Sequence, residues 1–447
     1  MTKEMTHGSP MKLILGFTIP LLFGNLFQQF YSMVDTIIVG RVLGTGPLAA
    51  VGSTGSVTFL IIGFCLGLCS GFSIPVAQRF GSGDYEELRR FIGNAVWLCV
   101  GFGSLLTVLT VVFCRNILEL MGTPADIIDD AYAYLVIIFA GIPATILYNM
   151  LSGILRALGD SRTPVVFLVV ASVINIALDI ILIVFVPLGV AGAAIATVAS
   201  QLVAGLACLL YAGRHYEVLR MVRDNFKFRM PCIRRLLSMG IPMALQTSIT
   251  AIGSVILQAS VNSLGSVAVA SVTAGSKLYM FFACAYDAMG VTMSTYSGQN
   301  IGARKVDRIE RGVKACGIIG IVYSILAFLV ILFFGKLLLR LFVDAGEAAI
   351  IDAAYQYLFT SGVFLIPLTF VNVLRLTIQG MGYSRLAMFA GVFEMIARGM
   401  TGAVLVPIFG FSAACFAGPI AWLMADFFLI PAYFHVIRCV RRGEGVY

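Results

Sequence analysis

Five carboxylates and two bases fall inside long apolar runs: Asp35, Asp179, Asp287, Glu394, Asp426, Lys277 and Arg398. A charge at mid-membrane costs about 2.5–3.5 kcal/mol on insertion scales, so each of these needs a compensating role. Asp35 closes a polar stripe of Asn25, Gln28, Ser32 and Asp35 at helical spacing, and Ser172, Asn175 and Asp179 repeat at i, i+3 and i+7. Tyr148, Asn149 and Ser152 form a further polar group, as do Thr197, Ser200 and Gln201. Two carboxylates among amide and hydroxyl oxygens can hold a proton or a small hard cation such as sodium, because hard cations take oxygen ligands. Like charges in one site repel, which favours one shared proton. A lone Asn or Ser only needs to satisfy a neighbouring helix, whereas two acids in one half point to an ion site.

The second half is different. Ile256, 221 residues after Asp35, is apolar, so the first acid has no counterpart there. Glu394 and Arg398 are four apart, which suits an ion pair on one helix. Lys277 and Asp287 are ten apart, about 15 Å along a helix, and cannot pair directly. Both stand as candidate cavity-lining groups beside Tyr279, Met280, Phe281, Phe282, Met289 and Met293, while Asp426 has no assignable partner. Pro20 removes a backbone donor and frees the Gly16 carbonyl on the helix that carries Asp35, which makes it a candidate hinge.

These residues sit in a chain of 447 that is 60% hydrophobic and only 12% charged, with a mean hydropathy of +0.98. A soluble globular domain is about 25% charged, so a cytosolic enzyme is excluded. Hydrophobic runs predict twelve spans, at about 13–39, 48–78, 91–113, 128–154, 165–185, 190–212, 236–262, 268–297, 312–334, 351–378, 387–406 and 411–437. Of the 30 lysines and arginines, 24 fall in alternate connectors and the termini; the opposite connectors hold Arg41, Arg115, Lys336 and Arg340. The positive-inside rule then places both termini and the basic linker 213–235 in the cytoplasm. That distribution follows topology and does not form a nucleic-acid-binding face. The cysteines read as small core residues without disulfides. His7, His215 and His435 are terminal or interfacial, so no catalytic set, cofactor site or resident metal site is expected.

The halves repeat. Leu43-Gly44 returns as Leu264-Gly265, Gln78-Arg79-Phe80-Gly81-Ser82 as Gln299-Asn300-Ile301-Gly302-Ala303, and Gly159-Asp160-Ser161-Arg162 as Gly382-Tyr383-Ser384-Arg385, at offsets of 221 to 223. Pro20 and Pro143 are matched by Pro242 and Pro367. The expected fold is therefore an all-α membrane protein. Twelve transmembrane helices form two six-helix lobes, 13–212 and 236–437, related by a pseudo-two-fold axis along the membrane normal and flanked by termini 1–12 and 438–447.

In order and spacing these segments resemble the multidrug and toxic compound extrusion (MATE) family. The likeness rests on Pro20, Tyr31, Asp35-Thr36, Val39-Gly40, Leu48-Ala49-Ala50-Val51-Gly52 and Gly141-Ile142-Pro143. It continues through Asn149, the run Leu155–Pro164, Asn175, Asp179, the run Gly189–Thr197 and Gly298–Ala303. The resemblance implies antiport across a prokaryotic inner membrane, with amphipathic, cationic compounds leaving as protons or sodium ions enter. It implies a cation site at Asp35, Asn175, Asp179 and Thr197, supported by Gln28, Tyr31 and Asn149, with Pro20 as the first-helix bend, as in the DNA-damage-inducible branch. Other branches carry a glutamate in the seventh span, where this chain has Gln246, Thr250, Ser254 and Gln258. The implied protein is a monomer whose partners are small amphipathic molecules and membrane lipids. A lipid-linked saccharide flippase of the same superfamily is the competing reading; it would need a basic cavity, whereas the buried charges here lean acidic.

Overall fold

A computed structural model describes residues 4–343 and 346–443; the ends of the predicted terminal segments, 1–3 and 444–447, lie outside the described residues. In chain order the helices of the first half are α1 (Pro10–Val42), α2 (Thr45–Ser53), α3 (Gly55–Ser82), α4 (Tyr85–Val112), α5 (Cys114–Leu120), α6 (Ile128–Ala140), α7 (Ile142–Ala157), α8 (Arg162–Asp179) and α9 (Val190–His215). They continue as α10 (Met230–Asn262), α11 (Ser266–Gly302), α12 (Val306–Leu339), α13 (Ala348–Val363), α14 (Leu365–Gly380), α15 (Ser384–Met400), α16 (Val406–Phe409) and α17 (Phe411–Arg441). No strand occurs among the described residues. Among the described residues, ten helical spans are long and apolar enough to cross a bilayer, and the bent pairs α6–α7 (45°) and α13–α14 (54°), each taken as one span, bring the number to twelve. Each bend precedes a proline, Pro143 or Pro367, which cannot donate to the preceding turn. The protein is a multi-pass membrane protein.

Contacts divide the chain into two compact units, one of Phe23–Ala244 and one of Met5–Leu22 with the chain from Leu245 onward. This division differs from the lobe limits read off chain order, because α1 and α10 each change unit two residues after a proline, Pro20 or Pro242. The start of α10 packs within the first unit, where Gly67 and Gly71 of α3 lie against Ala244 and Gly240. A Cβ added to Gly71 would stand 2.5 Å from the Gly240 Cα, and one on Gly67 2.6 Å from the Ala244 Cα. This is a small-xxx-small crossing that lets two backbones touch. The start of α1 is held within the second unit instead. The Met5 N–H donates to Gln299 Oε1 (2.8 Å), Arg308 donates to the Gly8 carbonyl (3.0 Å), and the Thr18 and Thr292 hydroxyls are hydrogen-bonded (2.8 Å).

The repeat extends to the backbone. α8 runs into a π-helical stretch at 180–185 and α15 into another at 401–405, each followed by a glycine of nearly equal φ, Gly189 (61°) and Gly410 (63°). The α3 C-terminus closes on Gly83 (φ 75°), with the N–H of Gly83 bonded to Phe80 O and that of Asp84 to Arg79 O. The matching end of α11 makes the same two bonds through Arg304 (φ 57°) and Lys305. A left-handed Cβ costs about 1–2 kcal/mol that glycine does not incur. Arg304→Gly is therefore expected to slow amide exchange over 299–305 about fivefold or more; unchanged exchange would contradict the strain.

Asp160, from the repeated Gly-Asp-Ser-Arg segment, proves to be a loop clamp. It accepts from the N–H groups of Arg162 (2.9 Å) and Thr163 (3.1 Å) and from the Tyr216 hydroxyl. Burial works to raise its carboxyl, but these hydrogen bonds outweigh it and hold the group below the usual carboxylate range.

Candidate functional site

One stripe of α8 carries Ser172, Asn175 and Asp179, exposed by 5%, 1% and 0%. The α-helix ends at Asp179 and widens into the π turn, a distortion common at functional sites. α1 brings Asp35 within electrostatic reach of Asp179. Tyr31, one turn before Asp35, and Tyr134 of α6 stand within electrostatic reach of both acids, and Gln28 lies beside the Tyr31 side chain. Asp35 Oδ1, both oxygens of Asp179 and both amide atoms of Asn175 are buried without a hydrogen-bond partner. Leaving such groups unsatisfied costs about 1–3 kcal/mol each, more when charged. Ionised carboxylates only accept, so Asp35 and Asp179 can bond to each other only through a proton. A small cation would serve the same oxygens.

The MatE family model matches residues 20–181 and 242–404, one copy in each half. The chain belongs to the MATE family. Among MATE relatives, it is 30% identical over 353 residues to the probable multidrug resistance protein YoeA of Bacillus subtilis, covering 77% of this chain and 76% of that one. It is 27% identical over 337 residues to DNA damage-inducible protein F of Escherichia coli, covering 70% of each. A solved multidrug resistance MATE transporter in an outward-facing conformation overlays with a TM-score of 0.92 at 23% identity over 99% of both chains, which establishes the fold. The protein is thus a membrane transporter.

Not every predicted site residue of this MATE chain joins the acid pair. Thr197 is half-buried on α9, which packs along α8, and makes no hydrogen bond to either carboxylate. Asn149 donates to the Thr145 carbonyl of its own helix (2.8 Å). Tyr148 donates to the Pro164 carbonyl (3.1 Å), tying α7 to α8. Pro20 lies inside a continuous α1. Tyr134 was not foreseen; it precedes the bend in the fourth span, whereas Tyr148 and Asn149 follow it, and nothing in the spacing shows which side of a bend faces a neighbour.

The second unit holds a separate charged network. Arg375 of α14 donates to Glu394 Oε1 (2.8 Å) and to Asn372 Oδ1 (3.2 Å). Arg398 pairs more loosely with Glu394 Oε2 (3.5 Å) and donates to Ser254 Oγ (3.1 Å). Asp426 is 8% exposed, its Oδ1 has no partner, and it senses Glu394 and Arg375. Asp287 keeps an accessible side chain on α11 and feels Arg375, while Lys277 is exposed beside a separate cavity of about 340 Å³ with Phe342 and Ile350. Met289 and Met293 are core residues; Tyr279 stacks on Trp422 at 5.8 Å. Arg375 lies near the end of an apolar run, so hydropathy alone groups it with the connector charges.

Proposed function

We propose that this MATE transporter is a secondary active multidrug efflux antiporter that exports amphipathic, cationic compounds in exchange for protons or sodium ions. The observation that carries the reading is the approach of half-buried Asp35 to wholly buried Asp179, with their unsatisfied oxygens. The multidrug names of the relatives support efflux as the direction. The pair takes up a proton or a sodium ion from outside. Its charge change rearranges α1 near Pro20 and weakens the hold on substrate, and alternating access then delivers the ion inward. Tyr31 and Tyr134 shield the pair from bulk water, and Asn175 offers one further oxygen and one donor. The charge distribution supports cytoplasmic termini, and the bacterial relatives support a prokaryotic inner membrane.

Proteoliposomes with a pH gradient and a sodium gradient imposed separately test this reading. One gradient is expected to drive saturable uptake of a cationic dye well above that of a matched neutral dye. Flux indifferent to both gradients would remove the antiport reading.

A further inference from the structure

The second unit carries a groove bounded by α12, α14 and α17, about 480 Å³ in volume. Leu374 and Tyr433 floor it, Phe370 and Phe434 wall it, and its charged lining is Lys314, Arg438 and the Glu310–Arg441 ion pair. The repeat shows what such a groove accepts. In the first unit the corresponding face of α4 is covered by the chain's own linker. Val218, Leu219 and Met221 pack into that unit's core, Trp97 donates to the Phe226 carbonyl (2.8 Å), and a Cβ on Gly93 would collide with the Asn225 carbonyl. Lys314 occupies the place of Gly93, 221 residues on, and α17 runs straight to Arg441 where α9 has ended at His215. Among the described residues, the groove is lined by α12, α14 and α17 alone.

We infer that this groove seats an acyl chain of an anionic phospholipid, with the headgroup phosphate held by Lys314 and Arg438. Arg441 is already engaged by Asp307 (3.0 Å) and Glu310 (2.9 Å), whereas Lys314 and Arg438 are exposed and make no ion pair among the described residues. Two free cations above an apolar slot match a phosphate above a hydrocarbon tail. α12 has 34 residues and spans about 51 Å, well beyond a hydrocarbon core of about 30 Å. Lys314, nine residues into it, therefore falls at headgroup depth. Below it the exposed Ile318, Val322 and Ile325 continue the apolar wall along α12, which suits a lipid tail better than a water-soluble partner.

The test is native mass spectrometry of the delipidated full-length protein with phosphatidylglycerol and phosphatidylcholine of identical chains. Phosphatidylglycerol is expected to bind about thirtyfold more tightly, from two cations at about 1 kcal/mol each. The double variant Lys314→Gln, Arg438→Gln should lose that preference while phosphatidylcholine adducts persist. Ile430→Trp, which narrows the groove and keeps both charges, should also weaken phosphatidylglycerol binding, and a diazirine on the acyl chain should label peptides containing Phe370 or Phe434. Equal binding of the two lipids, a preference retained by the folded double variant, or displacement by soluble glycerol phosphate would overturn the proposal. So would a preference that emerges only after residues 444–447 are removed.

Discussion

Asp35→Asn is expected to reduce ion-coupled efflux to the level of empty vesicles while leaving the protein folded, and Asp179→Asn to do the same. Asparagine has nearly the shape of aspartate but neither gains nor releases a proton at working pH and carries no charge to neutralise a cation. The fold should tolerate the change, because one of two neighbouring like charges is removed and their repulsion with it. Asp179 is wholly buried with both oxygens unpartnered, so its amide variant should be at least as thermally robust as the parent. Dye efflux from cells, proteoliposome flux and melting in detergent separate the two effects. Normal gradient-driven export by a well-folded Asp35→Asn protein would end the proposed mechanism.

Arg375→Ala is expected to be the most destabilising single change in the second unit. Glu394 is 5% exposed at its side chain and Arg375 15%, and their 2.8 Å contact is the tighter of the two that Glu394 makes. Removing one partner of a buried pair costs about 3–5 kcal/mol, because the other charge is left in a poor medium. Here Glu394 would keep only the longer Arg398 contact, and Asp426 and Asp287 would lose the cation they sense. For a chain of this length the melting midpoint should fall by about 4 °C. Arg398→Ala should cost less, since its contact is longer. Combining Arg375→Met with Glu394→Gln should recover much of the loss, and the double-mutant cycle isolates the pair. Additive effects in that cycle would show that the contact carries no coupling.

Much of this architecture was legible before any coordinates. Twelve apolar runs, the offset of 221 to 223 residues and the stripes ending at Asp35 and Asp179 follow from hydropathy and the 3.6-residue period, which local sequence encodes directly. The Glu394–Arg398 spacing was legible for the same reason. Tyr134 and Arg375 were not, because each acts across a helix–helix contact, and the period of one helix does not say which residue of another stands opposite. The Asp160 turn was legible as a landmark of the repeat, whereas its role as a clamp on its own loop and Tyr216 was not.

Chain order alone determined that this protein crosses the membrane repeatedly, that it is built twice, and that one half carries a pair of acids on two helices. Periodicity sets the direction a side chain takes around its own helix axis; it does not say which neighbour stands opposite. Only the tertiary structure decided that Asp35 meets Asp179 beside Tyr134, that Arg375 rather than Arg398 is the close partner of Glu394, and that the first turns of α1 and α10 pack with the other half of the sequence. Those choices depend on close packing between helices distant in sequence, where a glycine that admits a backbone or a hydroxyl that finds a hydroxyl selects the partner.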